Sequence, residues 1–380
     1  MKKIVRVIIK TVIFLIIYLV ILFLFIQLFT IDTPDIAKML LFFLILTIIL
    51  FFGIFLLANP TKKTGFTRVR RVKIKNIEKT KEFLAISNEL MQSYGGILEK
   101  KRKQTLLYIK ILCLVVIVEI IGTMILANII PVVPIKVLIV IYFIPVATLI
   151  LKIAKSRKQF IEEYKKNIIK ELVKNVNQNL YYEYDGNEQI YQKYEECNFE
   201  EVASANTFEC TDYIYGQLKE GIQLELAKIS LVDCDRTGKI TATVDTCIYS
   251  QTRMNCASPC EVRIKKNEMI KLDQSRVEID SEEFEKYFDI TSNSNMIVMQ
   301  ILTHDVMEEI VQFYKKYQID FEILIKENTI NIKFKTGNVF TPKLFKTVED
   351  NELLWTYYQV INFIISLSSR LNQVIERTEL

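Results

Sequence analysis

Apolar residues crowd the first 154 positions of the chain in long runs, and beyond them the pattern changes to short periods separated by charge. Residues 11–31 are uncharged and mostly Ile, Leu, Phe and Val, and residues 39–61 repeat the pattern after a short turn containing Pro34. Crossing the hydrocarbon of a bilayer takes about 20 apolar residues, so the two runs predict a transmembrane hairpin over 1–58. Residues 106–128 are apolar apart from Lys110 and Glu119, and residues 137–151 are bracketed by Lys136 and Lys152, whose stems can snorkel to headgroups. With Pro131 and Pro134 between them, these predict a second hairpin over 106–154, with Pro145 kinking its last helix.

From residue 155 onward the spacing is that of a water-facing α+β domain. Phe160, Tyr164, Ile168, Ile169, Leu172, Val173 and Val176 recur at helical spacing and predict a helix over 155–180. A short helix follows at 188–197. Strands are predicted at 208–218, 222–232, 240–249 and 261–264, with turns at 219–221 and 235–239. A helix begins after Ser281, with Phe284 and Phe288 on its buried face, and Thr303 caps an amphipathic helix that runs to Tyr317. Two alternating strands, 320–326 and 329–335, precede a last helix over 351–371. The expected fold class is therefore α+β: four transmembrane helices in two hairpins, then a cytoplasmic domain, 155–380, of antiparallel sheet and packed helices.

Charge sets the orientation. Residues 59–105 hold thirteen Lys and Arg against four Glu, within a chain of net charge +5. Lys2, Lys3 and Arg6, together with Lys155, Arg157 and Lys158, flank the outer ends of the spans, whereas the two short turns carry only Lys38 and Lys136. Basic residues are retained on the cytoplasmic side. The expectation is a multi-pass protein of the cell membrane with both termini in the cytoplasm. The basic loop 59–105 is expected to meet the bilayer, with anionic lipid headgroups at 62–81 and 100–103. Its place between two hairpins argues against nucleic acid. Seven cysteines, six of them after the spans, are read as reduced thiols.

Several segments together carry a resemblance: Phe160…Tyr164-Lys165…Ile168-Ile169…Leu172-Val173 running into Asn179-Leu180-Tyr181-Tyr182, then Asp212-Tyr213-Ile214-Tyr215-Gly216, then the stretches 281–291 and 301–307. In this order they resemble a family of bacterial membrane proteins known only as a domain of unknown function. The resemblance spans about 155–372 and implies one helical hairpin before a cytoplasmic α+β domain. The second hairpin and a divergent stretch over 247–266 depart from that pattern. The resemblance implies no activity.

Five side chains are candidates for chemistry. Glu119 stands inside an expected span, where a carboxylate is costly and often functional; a helix–helix contact, an ion path and a misplaced helix boundary are its alternatives. Asp233 and Asp235 follow the mostly apolar Ile229-Ser-Leu-Val as Asp-Cys-Asp-Arg-Thr, the way haloacid-dehalogenase-type phosphatases present a nucleophile and an acid/base. The same string makes a hairpin turn at Gly238. As a calcium loop it would need Glu where Val244 stands. Cys256 and Cys260, with Cys247, would bind zinc only with a fourth ligand; ordinary thiols and a redox pair are the other readings. No Gly-rich phosphate loop or hydrolase motif occurs, and no cofactor or metal is expected. The preferred function is a membrane-anchored binding or scaffold protein, not an enzyme, engaging a protein partner or a second copy of itself. The alternative is a membrane-anchored phosphohydrolase or transporter accessory subunit.

Overall fold

A computed structural model describes residues 79–129, 135–199, 207–234, 240–267, 276–335 and 341–378. Two compact units divide the chain, one made of residues 1–61 and 103–157, the other of residues 62–102 and 158–380.

Three helices come first: α1 (Lys81–Leu90), α2 (Gly96–Ile129) and α3 (Ile135–Glu163). The Thr80 hydroxyl caps α1 by accepting from the Phe83 amide at 3.3 Å, which satisfies one of the donors a helix start leaves open. In the first unit, Leu112 and Val116 of α2 and Val146 of α3 form a small core flanked by Leu149, Ile150 and Ile153. The hydroxyls of Thr105 and Ser156 meet at 2.6 Å beside it.

In the second unit a π-helical turn, Tyr164–Ile169, leads into α4 (Lys170–Val176). Next come β1 (Leu180–Asp185), α5 (Gln189–Glu196), β2 (Thr207–Gln217), β3 (Gln223–Cys234), β4 (Ile240–Arg253), β5 (Val262–Lys266) and β6 (Arg276–Val277). The chain continues through α6 (Glu282–Glu285), β7 (Phe288–Ser292), α7 (Asn295–Ile301), α8 (His304–Tyr317), β8 (Phe321–Lys326), β9 (Thr329–Phe334) and α9 (Glu352–Thr378). The strands form one nine-stranded sheet in the order β1-β2-β3-β4-β9-β8-β5-β7-β6. Every pairing among the described strands is antiparallel.

Alternation along the strands gives the sheet two faces. On one, Phe321 and Phe334 pack against Phe313 of α8 and Phe363 of α9. On the other, Ile190, Tyr191 and Tyr194 of α5 cover Ala227, Ile229, Cys247 and Tyr249. The α1 helix belongs to this unit because its apolar face finds a partner: Phe83 packs on Trp355 and Tyr358 of α9, with ring centres 4.8 and 5.3 Å away.

The architecture corrects the expected fold class. Among the described residues no helix is long and apolar enough to cross a membrane. The spans expected at 106–128 and 137–151 fall on α2 and α3. Lys110 and Glu119 interrupt the first, and the second has only 15 uncharged residues between Lys136 and Lys152, against the roughly 20 a span needs. The hairpin expected over 1–58 lies outside the described residues. The four-span fold, the multi-pass membrane location and the orientation built on those spans are withdrawn. So are the membrane-anchored scaffold with its bilayer, partner-protein and self-association expectations, and the transporter alternative.

The lipid-headgroup expectation fails at 100–103 for a further local reason. Arg102 is buried, bonded to Glu99 at 2.6 Å and to the Leu344 carbonyl at 2.9 Å, and Lys101 pairs with Glu163. Residues 62–78 lie outside the described residues.

Candidate functional site

Three local irregularities meet at one point of the second unit. The π turn interrupts the helix that begins at α3 and seats Lys165 on its buried side; single π turns are frequent at functional sites. Strand β2 carries a bulge between Thr211 and Ile214. Within that bulge Asp212 has φ +58°, a left-handed conformation uncommon for a residue with a Cβ. Tyr182 extends from β1, next to β2, on the face opposite the exposed Tyr181.

Together these place Lys165 Nζ 2.5 Å from Asp212 Oδ2, and the Tyr182 hydroxyl donates to Asp212 Oδ1 at 2.6 Å. The Tyr357 hydroxyl of α9 faces the same carboxylate, and burial together with that charge pushes its pKa well up. Burial first, and the Asp212 charge second, raise Tyr182 in the same way. Lys165 Nζ also lies 5.4 Å from the centre of the Tyr184 ring. Lys165 is 3% exposed and Asp212 1%. Two charges in so dry a place persist only with close geometry and further hydrogen bonds, and Tyr182 supplies one. The result is a latch joining helix, edge strand and C-terminal helix.

A second polar cluster occupies the α5 side of the sheet. The Tyr249 hydroxyl donates to Asn331 Oδ1 at 2.7 Å, Gln251 donates to the same oxygen at 3.0 Å, and Cys197 Sγ lies 3.5 Å from the Tyr249 hydroxyl. Lys333, 0% exposed, has Nζ 3.9 Å from the Asp245 carboxylate. Arg263 donates to Glu322 at 3.0 Å and to the Cys197 carbonyl at 2.9 Å.

The five side chains singled out in the sequence are not gathered at either cluster. Glu119 sits half-buried on α2 in the first unit, its pKa pushed up to about 7 by burial. Asp233 is half-buried near the end of β3, opposite Ala242 of β4, and Asp235 lies outside the described residues. Cys256 and Cys260 lie in the loop after Arg253, at the other end of the β3–β4 ladder from Asp233. Cys260 is buried and receives a weak hydrogen bond from Ser292 at 3.6 Å. The phosphatase alternative required a parallel sheet with strand–helix repeats after Asp233; β3 instead continues into an antiparallel partner. Among the described residues no group of three His, Cys, Asp or Glu could hold a metal ion.

Neither Asp212 nor Lys333 stood out as a site in the sequence. Lys165 had one readable signal: it falls three, four and seven positions before Ile168, Ile169 and Leu172, on the apolar stripe of its helix. A lysine on such a stripe calls for a buried partner.

Comparison with known proteins gives limited help. A protein-family model described as "Protein of unknown function (DUF3137)" matches residues 241–373. The match takes in Asp245, Glu322 and Lys333 and leaves out Lys165, Tyr182 and Asp212. No curated protein matches the chain. Among solved structures, the crystal structure of the mycobacterial trehalose monomycolate transport factor A, TtfA, aligns with a TM-score of 0.28 and 9% identity, over 51% of this chain and 91% of that one. The likeness drawn from motifs over 155–372 is corrected accordingly. The family match spans 241–373 alone, and no membrane hairpin accompanies it among the described residues.

Proposed function

We propose that the second unit turns over no substrate and works as a module that fixes the π turn and α4 against the sheet and the C-terminal helix. One observation carries this reading: the Asp212 carboxylate is enclosed and held by Lys165 of the π turn and Tyr182 of β1, with Tyr357 of α9 close enough for the carboxylate charge to raise its pKa. A catalytic carboxylate must reach a substrate; this one reaches only its own scaffold. Backbone strain and a π turn placed around a fully paired ion suit a joint that transmits position. Shifting the helix by one residue would take Lys165 from Asp212 and leave a buried charge, so the helix and the β1–β2 hairpin move together or not at all.

Hydrogen exchange on the purified full chain tests the reading. Lys165→Met is expected to raise exchange together in β1, β2 and residues 352–378. Faster exchange confined to the π turn would refute a joint. In parallel, the chain is assayed with phosphoester, carboxyl ester, peptide and glycoside substrates. No turnover above buffer is expected, and a rate abolished by Asp212→Asn or Asp233→Asn in a folded chain would make it an enzyme.

A further inference from the structure

Lys333 is the one lysine among the described residues with no solvent exposure. It lies on β9, on the face covered by α5, where its neighbours come from three elements. Asp245 of β4 offers a carboxylate oxygen 3.9 Å from Nζ. The Tyr194 ring of α5 lies 5.6 Å away, and Tyr249 of β4 is the Cα partner of Lys333. On the other side Glu322 of β8 is its partner across the β8–β9 ladder, 8% exposed and bonded to Arg263. Strands β4 and β9 thus bring a carboxylate and a primary amine together beside aromatic rings.

An enclosed ammonium costs far more than an enclosed neutral amine. When a proton passes from the ammonium to the carboxylate, the pair becomes an amine beside a carboxylic acid. Water is the competitor that keeps such pairs from condensing; it is kept from the Lys333 end, which is wholly buried, while the Asp245 side chain is 18% exposed. Intramolecular acylation gains its speed from reacting groups held close together, and Lys333 Nζ stands 3.9 Å from an oxygen of the Asp245 carboxylate.

We propose that Lys333 and Asp245 condense into an intramolecular isopeptide bond. The Nζ lone pair adds to Cγ of the neutral Asp245 side chain. A C–N bond forms, and one C–O bond breaks as the oxygen leaves with two protons as water. Nothing is oxidised or reduced, and no co-reactant is needed. The proton given up by the nitrogen goes to the departing oxygen. The product is a secondary amide that ties β4 to β9 and replaces two charges, one of them fully buried, with one neutral group. This inference is independent of the proposed joint at Asp212, whose residues it does not involve.

Intact-mass spectrometry of the denatured, reduced full chain decides it. The wild-type chain is expected to be lighter than its sequence by one water, and a tryptic digest is expected to yield one branched peptide joining the segments that contain Asp245 and Lys333. Asp245→Asn is expected to reach the same linked mass by losing ammonia. Lys333→Met, folded by circular dichroism, is expected to keep the full mass of its sequence. A wild-type chain at full sequence mass overturns the proposal whatever the variants do, as does a lost water that maps to another pair. A Lys333→Met chain that still lacks one water overturns the proposal as well.

Discussion

Removing one partner of the Asp212 latch strands the other in a dry interior, and the cost can be worked from the structure. Lys165→Met leaves the Asp212 carboxylate with its tyrosines but without a counter-charge. Asp212→Asn keeps an acceptor for Tyr182 and leaves an ammonium facing an amide. Each change is expected to cost about 3–5 kcal/mol, the usual penalty for uncoupling a buried pair. Changing both leaves no unpaired charge, and the double variant is expected to lose only about 2 kcal/mol, so the coupling energy is at least about 4 kcal/mol. The assay is equilibrium urea denaturation followed by fluorescence. Trp355, the sole tryptophan of the chain, is 1% exposed on α9 two residues before Tyr357 and reports on the unit that holds the latch. Losses that add within about 0.5 kcal/mol, as for independent sites, would refute the reasoning and reduce the pair to a chance contact.

Other positions give sharper single tests. Gly216 has φ +156°, and a Cβ there would stand 2.1 Å from the Asn179 carbonyl oxygen; Gly216→Ala is expected to cost more than about 2 kcal/mol by the same urea titration, because the obstacle is backbone. Phe83→Ala empties a fully buried site against Trp355 and is expected to cost about 3–5 kcal/mol and to shift Trp355 emission to the red; an unchanged spectrum would detach α1 from the second unit. Burial pushes the Cys197 thiol up to about 11 and Cys210 up to about 12. Raised values mean little thiolate at pH 8, so both are expected to resist a disulfide reagent until denaturant is added; fast labelling of either in the native chain contradicts the packing under α5.

Periodicity read the elements well where a single face decides the matter. The expected strand 329–335 is β9, Thr329–Phe334, because Ile330, Ile332 and Phe334 alternate cleanly onto the helix-covered face. Elsewhere a second partner overrode the pattern. Phe288, expected on a helix after Ser281, begins β7, since α6 ends at Glu285 and the aromatic packs on Phe321 and Tyr314. Asn331 and Lys333 look like the wet side of a strand, yet α5 closes over them, and no local spacing announces a helix arriving from more than a hundred residues earlier. The conformation of Asp212 left no trace either: Asp-Tyr-Ile-Tyr reads as an ordinary strand, and positive φ at a non-glycine residue is set by the contacts around it. The apolar runs of α2 and α3 misled because composition was taken for length, while Lys110, Glu119, Lys136 and Lys152 shorten the uninterrupted stretches.

The place of β9 between β4 and β8 has a consequence for synthesis. Strands β1 to β4 follow one another along the chain and can zip up as they leave the ribosome, each onto its predecessor. The far edge of β4, from Ile248 to Arg253, has no neighbour until Thr329–Phe334 has been made. During that interval a bare edge is exposed to other nascent chains, and open strand edges are where intermolecular pairing begins. Translational pausing between Arg253 and Thr329 should therefore lower the yield of correctly folded chain more than pausing before β4 does.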